Sequence, residues 1–219
     1  ESAVTGRTYA DDLRVVRSIL DANGMTGISE TEVSVEQDGR MVQLDLTNKD
    51  LESFGMQKLP AEIGKLDGLK KLVLAHNSIK LLPETIGNLR KLEILDAGHN
   101  EIETVPASIG KLTNLRKLDL RRNEIASLPA ELYTLPKLWY LHLWGNELTN
   151  ISPKIGNLKS LKELYLKNNE LTTLPLVLTR KKSLTYVDYG DNKICNPEGK
   201  LKAWLTKRNK RWREFQLCR

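Results

Sequence analysis

Aromatic side chains are scarce in this 219-residue chain, at 5%, and it holds only two cysteines, three histidines and two phenylalanines. So few sulfurs and imidazoles leave little from which to build a zinc site, which takes three or four ligands. No apolar run approaches the ~20 residues that a membrane-spanning helix needs. The chain opens at Glu1 with neither an initiator Met nor a charged-then-apolar leader, so any signal peptide or lipid anchor would lie outside it and the N-terminus leaves secretion undecided. The motifs HExxH, GxSxG, GxGxxG, CxxC and the phosphate-binding P-loop are all missing. Their absence removes the sequence basis for metalloprotease, serine-hydrolase, nucleotide and dithiol chemistry. The expectation is a non-enzymatic protein with no catalytic residues, no cofactor and no metal.

What is present is the composition of a folded domain, 40% hydrophobic and 28% charged, with 34 Lys and Arg against 28 Asp and Glu for a net +6. That excess is local. Residues Gly199 to Arg219 hold eight basic side chains and one acidic, so this tail carries +7 and the remainder −1. A nearly neutral body speaks against nucleic acid as the partner. The basic tail reads as the wet face of a terminal helix, with a polyanion or an anionic membrane surface as the other reading.

The dominant signal is a 23-residue period. Asn recurs at Asn77, Asn100, Asn123, Asn146, Asn169 and Asn192, and Leu keeps the same interval at 69, 92, 115, 138, 161 and 184. Each Leu is followed by apolar residues three and five positions on, as in Leu118 and Leu120, and each Asn by Ile or Leu two positions on. The unit reads LxxLxLxxNxIxxLPxxIGxLxx. Its alternating Leu predict a short strand with one face inward, and the remaining apolar positions a tight return leg. One unit cannot bury its own apolar side, but units stacked in register fill a continuous core. An amide both donates and accepts, so the six Asn read as structural, satisfying backbone groups where the chain leaves a strand. His76 and His99 each precede such an Asn and should stack about one strand spacing apart, ~4.8 Å. With no third ligand in view, they read as exposed side chains rather than a metal site.

This pattern resembles the leucine-rich repeat (LRR) family, whose signature is LxxLxLxxNxL at 20–29 residues. The LPxxIGxL variant is similar to that of secreted or surface-exposed bacterial LRR proteins, and of intracellular plant and animal scaffolds that bind Ras-like GTPases. The resemblance implies an α/β repeat solenoid, a right-handed horseshoe or arc with a concave parallel β-sheet, acting as a protein-interaction module. Six units and an imperfect first one place the solenoid at residues 41–195. In that first unit Lys49 stands at the Asn position, and five extra residues are expected to loop out near Glu52 to Met56.

Terminal units must hide the core from water. Residues 1–40 read as an N-terminal cap, with an amphipathic helix over Tyr9–Ala22 and a hairpin turning at Gln37-Asp38-Gly39-Arg40. Residues 196–219 read as a C-terminal helical cap over Gly199–Leu217, with Leu201, Trp204, Leu205 and Phe215 on its apolar side and Trp212 near the same stripe. Cys195 and Cys218 bracket that cap. A disulfide between them would staple it to the solenoid, a habit of extracellular repeats that implies an oxidising compartment; two reduced, buried thiols are the alternative.

In the LRR frame, strand positions three, five, seven and eight face the concave surface. Tyr140, Trp144, Tyr165 and Tyr186 converge there on three adjacent strands, with His142 between them and Asp119, Arg121 and Arg122 alongside. Exposed Trp, Tyr and Arg form the composition of protein-binding hot spots, although an aromatic ladder could also serve only to stiffen the sheet. The reading is a secreted or surface-exposed bacterial protein that binds a host or extracellular protein through this face. The alternatives are a cytoplasmic scaffold of the Ras-group type and a glycan or polyanion binder.

Alkylation of the unfolded, unreduced protein followed by intact mass is expected to label neither cysteine. Two labelled thiols would move the protein to a reducing compartment.

Overall fold

The computed structural model describes residues 7–48, 55–208 and 211–218, with only the backbone described at 212 and 213. Lys49, most of the expected loop and the Trp212 side chain therefore lie outside the described residues. An N-terminal helix, α1 (Tyr9–Asp21), precedes a hairpin of β1 (Ser34–Gln37) and β2 (Arg40–Asp45). Six three-residue strands follow, one per coil: β3 (Lys71–Val73), β4 (Ile94–Asp96), β5 (Lys117–Asp119), β6 (Tyr140–His142), β7 (Glu163–Tyr165) and β8 (Tyr186–Asp188). They form one eight-stranded sheet in sequence order. β1 pairs antiparallel with β2 and every later pair is parallel, with Leu72, Leu95, Leu118, Leu141 and Leu164 in register. All five of these leucines are buried.

The return leg is short because proline starts it. Pro60, Pro83, Pro106, Pro129 and Pro175 hold φ between −64° and −69°, and each leads into one 3-10 turn. In the remaining coil Ser152 caps the turn and Pro153 begins it. Ile63, Ile86, Ile109, Leu132, Ile155 and Leu178 of these turns enter the core. The adjoining glycine answers a close approach: a Cβ on Gly87 would lie 2.6 Å from the Ser108 carbonyl oxygen.

Between strand and turn the backbone loses its ladder partners, and the repeated Asn supplies them. Asn123 Oδ1 accepts the N–H of Ile102 at 2.9 Å, while its Nδ2 donates to the carbonyls of Ala97 at 3.0 Å and Leu120 at 3.0 Å. Asn77, Asn100, Asn146, Asn169 and Asn192 repeat the arrangement one coil apart. Each amide thus joins two successive coils.

Both ends extend this scheme. Met56 lies 23 residues before Ile79 and takes the equivalent place, buried, with its N–H on Asn77 Oδ1 at 2.7 Å. The extra residues of the first unit therefore precede Met56, which belongs to the core and not to the loop. α1 begins with a capping box, Thr8 N–H donating to Asp11 Oδ2 at 2.9 Å. It docks through Val16, Ile19 and Leu20 and through a fully buried carboxylate: Asp12 accepts from Arg7 at 3.2 Å, Arg40 at 3.0 Å and the Met41 N–H at 3.1 Å.

At the other end the structure corrects the expected continuous helix. α2 spans only Gly199–Arg208, and a 3-10 turn at Trp212–Phe215 follows. Leu201 and Leu205 are buried and Trp204 packs beside them, but Phe215 is 48% exposed. The reason lies in the next residue. Gln216 bridges to Asn192 in parallel, accepts the Ile194 N–H at 3.2 Å and donates to the Tyr189 carbonyl at 3.1 Å. It does for the last coil what the following Asn does for the others, and only extended backbone can present it. Cys195 and Cys218 are disulfide-bonded with a sequence separation of 23, one full period, so the bond joins equivalent places of the last coil and the segment that imitates a further one.

Removing one amide strands several backbone groups in the core. Asn123→Ala is expected to cost about 3 kcal/mol and to lower Tm by roughly 6–12 °C in a thermal melt. Ser108→Ala, at a buried hydroxyl without a hydrogen-bond partner, is expected to leave Tm unchanged.

Candidate functional site

Side chains that flank each inward residue project from the concave face. Tyr140 and His142 flank Leu141 on β6, Glu163 and Tyr165 flank Leu164 on β7, and Tyr186 and Asp188 flank Val187 on β8. The parallel register sets His142 beside Tyr165 and Glu163 beside Tyr186. Rings that are far apart in sequence therefore touch. Tyr165 lies 4.5 Å from His142, 5.3 Å from Tyr140 and 5.0 Å from Tyr186, centroid to centroid. Trp144 lies nearly parallel to His142 at 6.5 Å, and the Arg122 guanidinium sits 4.6 Å over its ring.

A buried anion anchors this patch. Asp119 is 8% exposed and accepts from Arg121 Nη1 at 2.7 Å and the Arg121 N–H at 3.0 Å, with His142 Nδ1 at 3.3 Å. Burial pushes its carboxyl up, but the bonds from His142 and Arg121 and their charges outweigh it and hold the group below the usual carboxylate value. Its register neighbour Asp96 is shifted the other way, raised by burial first, with the Gly98 N–H opposing and the Asp119 charge adding. The Tyr140 hydroxyl meets His142 Nδ1 at 3.0 Å and is pushed up to about 12, chiefly by burial. Burial also raises Tyr165, which donates to Glu163 at 2.9 Å, and Tyr186. The phenols are thus neutral donors across the physiological range.

Asp119, Arg121, Arg122, Tyr140, His142, Trp144, Tyr165 and Tyr186 therefore form one continuous surface. His76 and His99 stack at 4.1 Å on the neighbouring coils, half-buried, each in the left-handed region at φ 60° and 55°. Burial, then the charges of His76 and the two arginines, lowers the His99 pKa. Among the described residues no three His, Cys, Asp or Glu side chains are placed to hold a metal.

Two aromatic residues join the patch that sequence reasoning did not place there. Trp139 stands second in its repeat, a position the pattern leaves undefined, yet its ring meets Tyr140 edge-on at 5.8 Å under the Lys117 ammonium at 4.8 Å. Phe215 lines, with Tyr186, Lys167 and Asp188, a cleft of about 350 Å³ beside the C-terminal cap. Trp139 was visible as a Trp in an aromatic-poor chain, whereas Phe215 was masked by its assignment to a helix.

Comparison with known proteins follows the repeats. A family model described as a leucine-rich repeat region matches residues 11–139 and 97–180. No curated protein matches by sequence. A solved LRR protein of Leptospira interrogans shares 38% identity over 62% of this chain, with a TM-score of 0.60. The plant peptide hormone receptor RGFR1, solved in complex with RGF2, shares 31% over 62%, with a TM-score of 0.57. A plant ice-binding protein at 24% identity overlays 90% of the chain and 70% of its own length, with a TM-score of 0.71, a likeness of fold alone. The chain spans 35% of the Leptospira structure and 22% of the receptor.

Because folding lowers the Asp119 pKa, its stabilising contribution is complete above pH ~4 and is lost as pH falls through the folded value. Asp119→Asn is expected to lower Tm at pH 7 and to flatten the fall in Tm between pH ~4 and ~2. Asp96, shifted upward, opposes that fall in both proteins. Thermal melts across this range, with carboxyl NMR titration of Asp119, check the assignment.

Proposed function

Since this chain belongs to the leucine-rich repeat family, we propose that it is a non-enzymatic binding module on the extracellular side, holding an extended segment of a protein partner against the concave rings around Trp144 and Tyr165. The observation that carries this reading is the unbroken contact of Tyr140, His142, Trp144, Tyr165 and Tyr186 on three neighbouring strands. Large, stiff rings give contact area at low entropic cost. Leucine fills the inward strand positions of the β6 and β7 coils, and Leu184, Val187 and Tyr189 fill those of the β8 coil, so packing alone does not call for the outward rings. Asp119 and the two arginines give the patch a charged margin, and the neutral phenols offer donors to a peptide backbone.

Leucine-rich repeat regions typically serve protein interaction, and the RGFR1 likeness, solved with its RGF2 ligand, supports a peptide-like occupant. The Cys195–Cys218 bond supports an oxidising compartment. The Leptospira likeness supports a bacterial source, and with the oxidising compartment it makes a host or extracellular protein the partner we propose. Among the described residues no helix is long and apolar enough to cross a membrane.

Peptides selected from a displayed random library on the wild-type protein should lose affinity at least about thirtyfold on Trp144→Ala/Tyr165→Ala, as loss of a hot spot costs about 2 kcal/mol or more. The Tm of that variant is expected to stay within a few degrees of wild type. Unchanged binding would displace the site, and enrichment of glycans in place of peptides on an array would turn the reading to carbohydrate.

A further inference from the structure

Charge is divided between the two edges of the sheet. The segments entering each strand, residues 65–71, 88–94, 111–117, 134–140, 157–163 and 180–186, hold fourteen Lys and Arg and three Asp and Glu. The stretches that follow each repeated Asn, residues 78–83, 101–106, 124–129, 147–152, 170–175 and 193–198, hold six Glu and two Lys. Coil stacking repeats the entry segments at the strand spacing of ~4.8 Å, so this edge is a cationic rail.

Two grooves open along it, each built around a tryptophan. In the first, of about 690 Å³, Arg116, Lys137 and Lys162 surround Trp139, with Glu163 also on its wall. In the second, of about 370 Å³, Lys182, Lys207 and Arg208 surround Trp204 where α2 meets the last coil, and no acidic side chain lines it. Arg116 has a carboxylate partner, Glu93 at 3.3 Å. No ion pair among the described residues engages Lys137, Lys162, Lys182 or Lys207, all of them exposed.

We propose that this entry edge binds a linear sulfated polysaccharide, its sulfates on the lysines and arginines and a sugar ring against Trp139, since Arg208 and Tyr189 already flank the Trp204 indole at 4.6 Å and 6.2 Å. A row of cations in coil register fits a polymer with anions at regular intervals, and an indole offers a flat apolar surface to a pyranose. A lipid bilayer fits less well, because peripheral insertion uses exposed apolar anchors. The exposed large apolar side chains among the described residues are Val35, Leu81, Leu176, Tyr186, Phe215 and Leu217; only Tyr186 falls in an entry segment, and it faces the concave side. Nucleic acid shares the anion and stacking chemistry, but the Cys195–Cys218 bond supports the extracellular reading of the proposed function, and there sulfated glycans are the commoner polyanion. The rail adjoins the concave patch at Trp139 and does not depend on what that patch binds.

The test measures binding of a heparin-derived oligosaccharide to the intact chain over a range of NaCl concentrations. Affinity should fall steeply with salt, since each ion pair releases counterions. Lys137→Glu/Lys162→Glu/Lys182→Glu should weaken binding at least about tenfold and reduce the salt slope. Lys58→Glu/Lys80→Glu/Lys154→Glu, of equal net charge but off the rail, should retain wild-type affinity, and both triples should keep the wild-type Tm. Trp139→Ala should weaken binding severalfold without changing the slope. Equal losses in the two triples, or equal binding of a desulfated oligosaccharide, would overturn the proposal. So would tighter binding of single-stranded DNA or of anionic phospholipid vesicles at ~0.15 M salt, which would assign the rail to those polymers or surfaces instead.

Discussion

Each coil must leave its strand before its backbone groups have found partners, and that requirement falls at the centre of the molecule, away from water. The buried asparagine amide meets it. One side chain closes an N–H of the preceding coil and carbonyls on both, so its geometry also fixes the distance and phase between coils. Nothing smaller reaches, and an apolar residue leaves several buried polar groups unsatisfied, a penalty of the order of the whole interaction. The residue just before each Asn accepts a left-handed conformation at His76, His99, Arg122, Gly145, Asn168 and Asp191 so that the amide can point inward. For the non-glycine members this is a local cost that the ladder offsets.

The same constraint explains why the outward positions are free to vary. With the inward leucines and the amides holding the frame, most strand residues on the concave side are free of the core, Asp119 being buried by its own neighbours, and the ~4.8 Å spacing decides which of them meet. Aromatic residues that recur roughly one repeat apart become a contiguous surface, as Tyr140, Tyr165 and Tyr186 do. Charges follow the same rule. Entry segments rich in lysine and exit segments rich in glutamate become opposite edges of one body because every coil repeats the same path. This internal polarity is hidden in the nearly neutral net charge of the residues before 199, since only stacking sorts the signs by side.

Open ends are the weakness of such a body, and the two caps solve it differently. At the N-terminus a helix covers the first coil and a buried Asp12 ties α1 to β2 through Arg7, Arg40 and a backbone N–H. At the C-terminus the chain imitates a further repeat: Gln216 stands in for the missing Asn, and a disulfide joins positions one period apart.

Much of this was legible in the residues themselves. The 23-residue period, the inward leucines, the amide positions, the proline-led turns and the outward aromatics each follow from side-chain chemistry recurring at fixed spacing, and repetition makes such a signal additive. The ends broke the repetition and so escaped. Leu201 and Leu205 suggested a helix that the sequence had no means to stop, because the need to stop it came from an unpaired Ile194 N–H on another coil. Met56 lay in a segment whose length differed from the repeat, and its place in the core was set by Asn77, 21 residues away. Trp139, Phe215 and the two charged edges likewise depend on which coils lie side by side. The sequence alone determined the period and the face each residue presents, because these are local properties of a repeating chain. Only the tertiary structure decided the caps and the surfaces that cross from coil to coil, because contacts between coils are set by stacking and not by neighbours along the chain.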